Sequence, residues 1–382
     1  MSIVPSILRT KSESFKCAFF TTVALLFHTL VLYSQSATSD TASVAKGLRK
    51  ESLFPLPIIY YTPETGWAGG VSLFSTFRTK GQTKLSRPSQ AQVGFAYTQR
   101  KQLLFYLPFQ IFPGNQKWQL YGELGYYRYT YQFFGIGNET SIADKENYDV
   151  NFPRIRVNLL RLVKPHHYIG LRYWWDDYRI VQTQKNRLLE IGNISGYKGG
   201  VISGTGLIYN FDSRDNLFYP TKGIWAEAEV FLNQRSLGSD FNFTRTSLDI
   251  VYYRSLSKRS VLASNLWFAF LNGDVPFQQL AFIGGPKKMR GFFEGRLRDK
   301  NLWMAQTEYR LSLPKRFGWV AFIAIGSVSP TPINLFTQKT HFTYGSGIRF
   351  AISKKDQVNI RLDVAGNELG EIAPYLTVKE AF

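Results

Sequence analysis

The sequence predicts an all-β protein, a 16-stranded antiparallel transmembrane β-barrel with both termini on the periplasmic side. Three observations carry this expectation. Runs of alternating apolar and polar residues fill the chain from Phe54 to Phe382. They number sixteen, and bacterial single-chain barrels have even strand counts. The links between them are short after even-numbered runs and long after odd-numbered ones, as in barrels with short periplasmic turns and long outer loops.

The chain opens with a mainly apolar stretch from Cys17 to Tyr33, preceded by Arg9, Lys11 and Lys16 and followed by the small residues Ser34 and Ser36. A charged region, an apolar region and small residues for cleavage make residues 1–36 an export signal. Residues 37–53 are rich in Ser, Thr, Ala and Lys without periodicity and read as a solvated, disordered periplasmic leader. The barrel is expected over 54–382. Its runs are 56–62, 67–78, 90–98, 102–112, 117–129, 148–162, 167–181, 199–211, 224–234, 241–254, 260–271, 302–312, 317–326, 341–352, 357–365 and 374–382.

Alternation sets the two faces, because successive strand side chains point to opposite sides. In 357–365, Val358, Ile360, Leu362 and Val364 oppose Asn359, Arg361 and Asp363. In 302–312, Trp303, Ala305 and Tyr309 oppose Gln306, Glu308 and Arg310. In 148–162, Ile155, Val157 and Leu159 oppose Arg154, Arg156 and Asn158, and in 224–234 Ala226, Ala228, Val230 and Leu232 oppose Glu227 and Glu229. A soluble sandwich shows the same local pattern, but its strands average about 5–6 residues. Trp67, Trp118, Trp225, Trp303 and Trp319 stand at strand starts, where interfacial girdles belong.

Composition narrows the function classes. A single cysteine, Cys17, excludes an internal disulfide and a multi-cysteine metal site. A net charge of +19 on a soluble protein would suggest nucleic acid. With an export signal and this strand pattern it fits a basic lumen and loops beside the phosphates of outer-membrane lipid. The histidines of the barrel, His166, His167 and His341, have no Ser–His arrangement around them, so no enzyme, cofactor or metal centre is expected.

Four motifs then stand out in order. Pro63-Glu64-Thr65-Gly66 lies in the first hairpin, and Phe134-Gly135-Ile136-Gly137-Asn138 in the third outer loop. Asp212-Ser213-Arg214-Asp215-Asn216, followed by Tyr219-Pro220-Thr221-Lys222-Gly223, makes a periplasmic turn, in which Pro220 and Gly223 suit a tight reversal. Met289-Arg290-Gly291-Phe292 lies in the long loop between strands 11 and 12. Together they resemble the BamA/TamA-type outer-membrane assembly and translocation superfamily, also called the bacterial surface antigen family. The resemblance spans most of 54–382. It implies that the loop folds into the lumen and that Arg290 pairs there with Glu308. The family's second acid would fall at Ala324, which leaves one strand partner for the arginine. The resemblance is to a short form lacking periplasmic POTRA modules, since 37–53 is too brief to hold one. Partner proteins of the periplasm or outer membrane would then supply substrate binding.

The barrel seam is expected between a short first strand, with Pro57, Ile58 and Tyr60, and a last strand with Tyr375, Thr377 and Phe382. Pro55 and Pro57 precede Ile58 and remove ladder donors, so the seam reads as weak. Two functions follow. The first is a barrel in a multi-protein complex that inserts, exports or scaffolds client proteins in the outer membrane of a Gram-negative bacterium. The alternative is a passive channel for small anionic solutes, lined by Arg154, Arg156, Arg172, Arg310, Arg349 and Arg361, unless the inward Glu227, Glu229, Glu308 and Asp363 neutralise them as lumen ion pairs.

Overall fold

The computed structural model describes residues 52–79, 86–217, 219–353 and 358–382. The expected export signal of 1–36 and all but the last two residues of the expected leader lie outside them. Among the described residues there are eighteen strands: β1 Ser52–Thr62, β2 Gly66–Phe77, β3 Ser89–Thr98, β4 Leu103–Ile111, β5 Trp118–Phe133, β6 Glu146–Lys164, β7 His167–Gln182, β8 Gly199–Asp212 and β9 Gly223–Asn233. The series continues with β10 Phe243–Ser255, β11 Ser260–Gly273, β12 Ala281–Ile283, β13 Leu297–Asp299, β14 Asn301–Ser312, β15 Phe317–Ser329, β16 His341–Ser353, β17 Val358–Asn367 and β18 Ile372–Val378. Sixteen of them close one antiparallel barrel. β12 and β13 form a separate two-stranded ribbon within the loop between β11 and β14.

The two faces separate as the alternation requires. On β17, Leu362 and Val364 are about half exposed while Arg361 and Asp363 are buried. On β6, Ile155 and Leu159 face out and Asn158 faces in; on β9, Val230 and Leu232 face out and Glu229 faces in. An apolar outer face with charged groups inside is the arrangement that lipid demands. The largest buried apolar cluster sits inside the wall. It joins Phe133, Tyr148 and Phe152 to loop residues Phe277, Ile283, Met289, Phe292 and Leu297. The loop therefore has a core of its own against the wall.

Three expectations need correction. β1 is not short: it starts at Ser52, contains Pro55 and Pro57, and pairs with β2 along all 11 of its residues. The edge-strand restriction on proline is met because β2 occupies only one of its edges. β18 ends at Val378, so Phe382 lies outside the seam strand. Lys379 adopts a left-handed backbone (φ 69°), and Arg310 Nη2 inside the barrel donates to the Phe382 carbonyl at 2.9 Å. Trp225 does not join an outer girdle. It packs inside with Val251 and Tyr253, below the Arg214 guanidinium, because it falls on the same face of β9 as Glu227.

Candidate functional site

Loop 274–300 turns back into the barrel and places Met289-Arg290-Gly291-Phe292 on the inner wall of β14–β18. Gly291 has φ +115°, and a Cβ there would stand 2.8 Å from the Gly366 carbonyl oxygen, so this position requires glycine. Its N–H donates to Tyr375 Oη at 3.1 Å, and Tyr375 Oη donates in turn to the Phe292 carbonyl at 3.3 Å. Asn367 Nδ2 donates to the Gly291 carbonyl at 3.1 Å. Met289 and Phe292 are fully buried. The wall thus grips the loop backbone as well as its side chains.

Arg290 is 1% exposed and has two carboxylate partners. Its Nη2 donates to Glu308 Oε1 at 2.9 Å, and its Nη1 donates to Asp363 Oδ2 at 2.6 Å. The guanidinium also lies over the Phe322 ring, 3.6 Å from its centre. The expectation of a single strand partner is therefore corrected. Ala324 on β15 offers no acid, and Asp363 on β17 takes the second place. The backbone makes this reach possible. Gly347 stands opposite Asp363 in the β16–β17 register, and a Cβ at Gly347 would sit 2.0 Å from Asp363 Oδ1. A planar fork of donors can bind two acids at once, which a point charge cannot.

Three more arginines surround these acids. Arg349 donates to Asp363 Oδ1 at 2.5 Å and to Glu380 Oε2 at 2.8 Å. Arg310 and Arg349 each lie 3.6 Å from Glu308 Oε2, and Arg361 lies 3.5 Å from Asp363 Oδ2. Arg361 also donates to Thr377 Oγ1 at 2.7 Å and to the Pro286 carbonyl at 2.9 Å. The side chains of Tyr375 and Thr377 thus serve the lumen. Glu380 was missed as a partner in the sequence, and Asp363, expected among the inward acids that neutralise the lumen arginines, was not assigned to Arg290. Asp363 had a signal, its inward parity beside Arg361, but the facing register of β16 is not written in the sequence.

The first hairpin reaches the same loop. Glu64, in the turn between β1 and β2, accepts the Glu294 backbone N–H at 2.8 Å. Burial raises the Glu64 carboxyl, and burial together with Glu64 pushes Glu294 up to about 7, against the pull of Arg298, Lys287 and Arg154. A carboxyl whose folded value exceeds its unfolded one holds extra protons in the folded state. The loop is then most firmly docked below the ordinary carboxylate range and loosens as pH rises through about 7. Limited trypsin digestion at Lys287 and Lys288 should accelerate between pH 5 and pH 8, and Glu294→Gln should flatten that profile. The same profile in wild type and variant would remove this role.

The other motifs hold the two ends of the barrel. Asn138 Nδ2 donates to the Lys339 carbonyl at 2.7 Å, and its Oδ1 accepts the Val328 N–H at 3.0 Å. The Gly137 N–H donates to the Arg298 carbonyl of the loop at 2.8 Å. Asp212 binds Arg214 Nε at 2.9 Å and Arg87 Nη1 at 2.7 Å. Asp215 accepts from Thr221, Pro220 is buried, and Gly223 begins β9. These contacts are structural.

Sixteen lipid-facing strands closed around an in-folded loop define a transmembrane β-barrel of the outer-membrane type. The Omp85 superfamily domain matches residues 82–366, and the chain belongs to this superfamily of protein insertion and translocation barrels. Its fold is similar to that of BamA from Haemophilus ducreyi lacking POTRA domains 1–3, at 16% identity and a TM-score of 0.57, covering 87% of this chain and 71% of that one. CdiB from Acinetobacter baumannii (12% identity, TM-score 0.57) is covered over 60% of its length by 87% of this chain, and CdiB from Escherichia coli (10%, TM-score 0.57) over 63% by 88%. The chain thus spans less than two thirds of the CdiB structures. No curated protein sequence matches it.

Proposed function

We propose that this barrel inserts, exports or scaffolds client proteins at the seam between β1 and β18, within a multi-protein complex of a Gram-negative outer membrane. One observation carries the reading. The seam has a single residue pair among the described residues, Tyr61 opposite Leu376, and the in-folded loop is fastened to both of its flanks. Glu64 holds the loop from the β1–β2 turn and Tyr375 holds it from β18. A loop that ties two weakly paired strands controls whether they part. An exposed strand edge pairs with an added strand through its backbone groups. Periplasmic or outer-membrane partners supply the substrate-binding modules, and the barrel works by binding and gating without catalysis.

The ion pairs weigh against the passive anion channel. Arg154 and Arg156 pair with Asp176, and Arg172 pairs with Glu227 and Glu229. Arg310, Arg349 and Arg361 share Glu308 and Asp363. A lumen whose cations are neutralised has little anion selectivity to offer. Purification in mild detergent after crosslinking in the membrane should recover the barrel with stoichiometric protein partners. A barrel that purifies alone and carries a steady anion-selective current in a planar bilayer would replace this reading with the channel.

A further inference from the structure

We propose that loop 330–340, between β15 and β16, folds over the outside of the barrel wall and seats Ile333 and Phe336 in the acyl layer of the outer leaflet. The alternation on β15 breaks near its outer end. Ile323 and Ile325 point outward and are exposed, as lipid-facing residues are. The next two outward positions, Ser327 and Ser329, are fully buried. The ladder to β14 runs without a shift from Ser312–Gly318 to Asn301–Ser329, so the parity of β15 has not slipped. The outer face is therefore covered there.

The cover is the loop itself. Ser327 Oγ donates to the Leu335 carbonyl at 3.0 Å, and Ser329 Oγ donates to the Thr331 carbonyl at 2.8 Å. Leu335 is fully buried. Phe336 packs on Trp303, an outward residue of β14, with ring centres 5.8 Å apart. The loop thus bends outward and down over the ends of β14 and β15. Its far end returns to the mouth of the barrel, where the Lys339 carbonyl accepts Asn138 Nδ2 at 2.7 Å. One side of the cap over the lumen hangs on this loop.

The strand sets the depth. Trp319, near the periplasmic end of β15, shares its outer face with Ser327. The residues between them, at about 3.3 Å each on a strand tilted by about 40°, rise roughly 20 Å, and the apolar band of such barrels is about 25 Å tall. Ser327 therefore stands inside the band and Ser329 at its outer edge, where a bare hydroxyl would meet hydrocarbon without a partner. The loop supplies both partners and pairs its own backbone as well. The Leu335 N–H donates to the Pro332 carbonyl at 3.2 Å, and the Thr337 and Gln338 N–H groups donate to the Asn334 carbonyl at 3.1 Å. A segment that enters hydrocarbon needs its backbone satisfied internally. The free side of the loop presents Ile333 and Phe336, 85% and 67% exposed. Through Trp303 this apolar side is continuous with the lipid-facing wall, so the same acyl layer covers both.

The test attaches an environment-sensitive fluorophore to the full chain at position 333 through Ile333→Cys, with Cys17→Ala to keep the label unique. Glu139→Cys, at an exposed position of the third outer loop, is the reference. Both proteins are reconstituted in vesicles of phosphatidylethanolamine and phosphatidylglycerol, with doxyl-labelled phospholipid or aqueous iodide as quencher. At 333 the lipid quencher should be several-fold more effective than at 139, and iodide several-fold less. A doxyl group near the headgroup end of the acyl chain should quench more than one near its methyl end. Phe336→Cys, labelled in the same way, should give the same order and serves if the first variant fails to fold. Iodide quenching at 333 and 336 as strong as at 139 overturns the proposal, because the loop then stands in water. Protection from both quenchers overturns it as well, in favour of a second copy of the chain or another protein on this face.

Discussion

Arg290→Ala should lower the melting temperature of the barrel and expose loop 274–300 to protease. The guanidinium is 1% exposed, and Glu308 and Asp363 are fully buried. Removing it leaves two carboxylates facing each other across the space it filled, with Arg310, Arg349 and Arg361 at their backs. Breaking a buried pair by deleting one partner typically costs about 3–5 kcal/mol. Here the lost stacking on Phe322 adds to it. Arg290→Lys keeps the charge, but one ammonium cannot span two acids on β14 and β17, so it should restore only part of the stability. Heat-modified gel mobility and trypsin cleavage at Lys287 and Lys288 read the two effects. An alanine variant with wild-type melting and an intact loop would show that the arginine is a passenger in the lumen.

The fold was legible because its signal is repeated. Each strand states its own inward face, and errors at one strand are outvoted by its neighbours. Arg361 and Asp363 on β17 were placed by parity alone. Ends were less legible. β1 extends to Ser52 through two prolines, because an edge strand needs donors on one side only. β18 stops at Val378 because Lys379 turns left-handed, and nothing in Leu376-Thr377-Val378-Lys379 announces that turn. Trp225 was placed in a girdle by position, while its own parity with Glu227 put it inside. In the site, the arginine was legible and its partners were only half so. Glu308 follows from the family resemblance. The pairing of Glu64 with Glu294, 230 residues apart, depends on how deeply the loop folds. No local pattern encodes that depth.

Asp363→Asn should be more damaging than Glu308→Gln, although the resemblance points first to Glu308. Asp363 receives two short charged bonds, from Arg290 at 2.6 Å and Arg349 at 2.5 Å, with Arg361 at 3.5 Å. Glu308 receives one, from Arg290 at 2.9 Å, while Arg310 and Arg349 stand back at 3.6 Å. An asparagine at 363 turns an amide N–H₂, a donor, toward guanidinium groups that have no acceptor to offer it. It also leaves the four arginines with only Glu308 and Glu380. The two losses should not add. In the double variant Arg290→Ala with Asp363→Asn, the deleted cation and the deleted anion partly cancel. Its destabilisation should fall short of the sum by about 0.5–3 kcal/mol, the usual coupling for residues in one network. Denaturant unfolding of the four proteins measures this directly. Additive losses, or a Glu308→Gln variant weaker than Asp363→Asn, would return the anchor to β14 and make Asp363 an incidental neighbour.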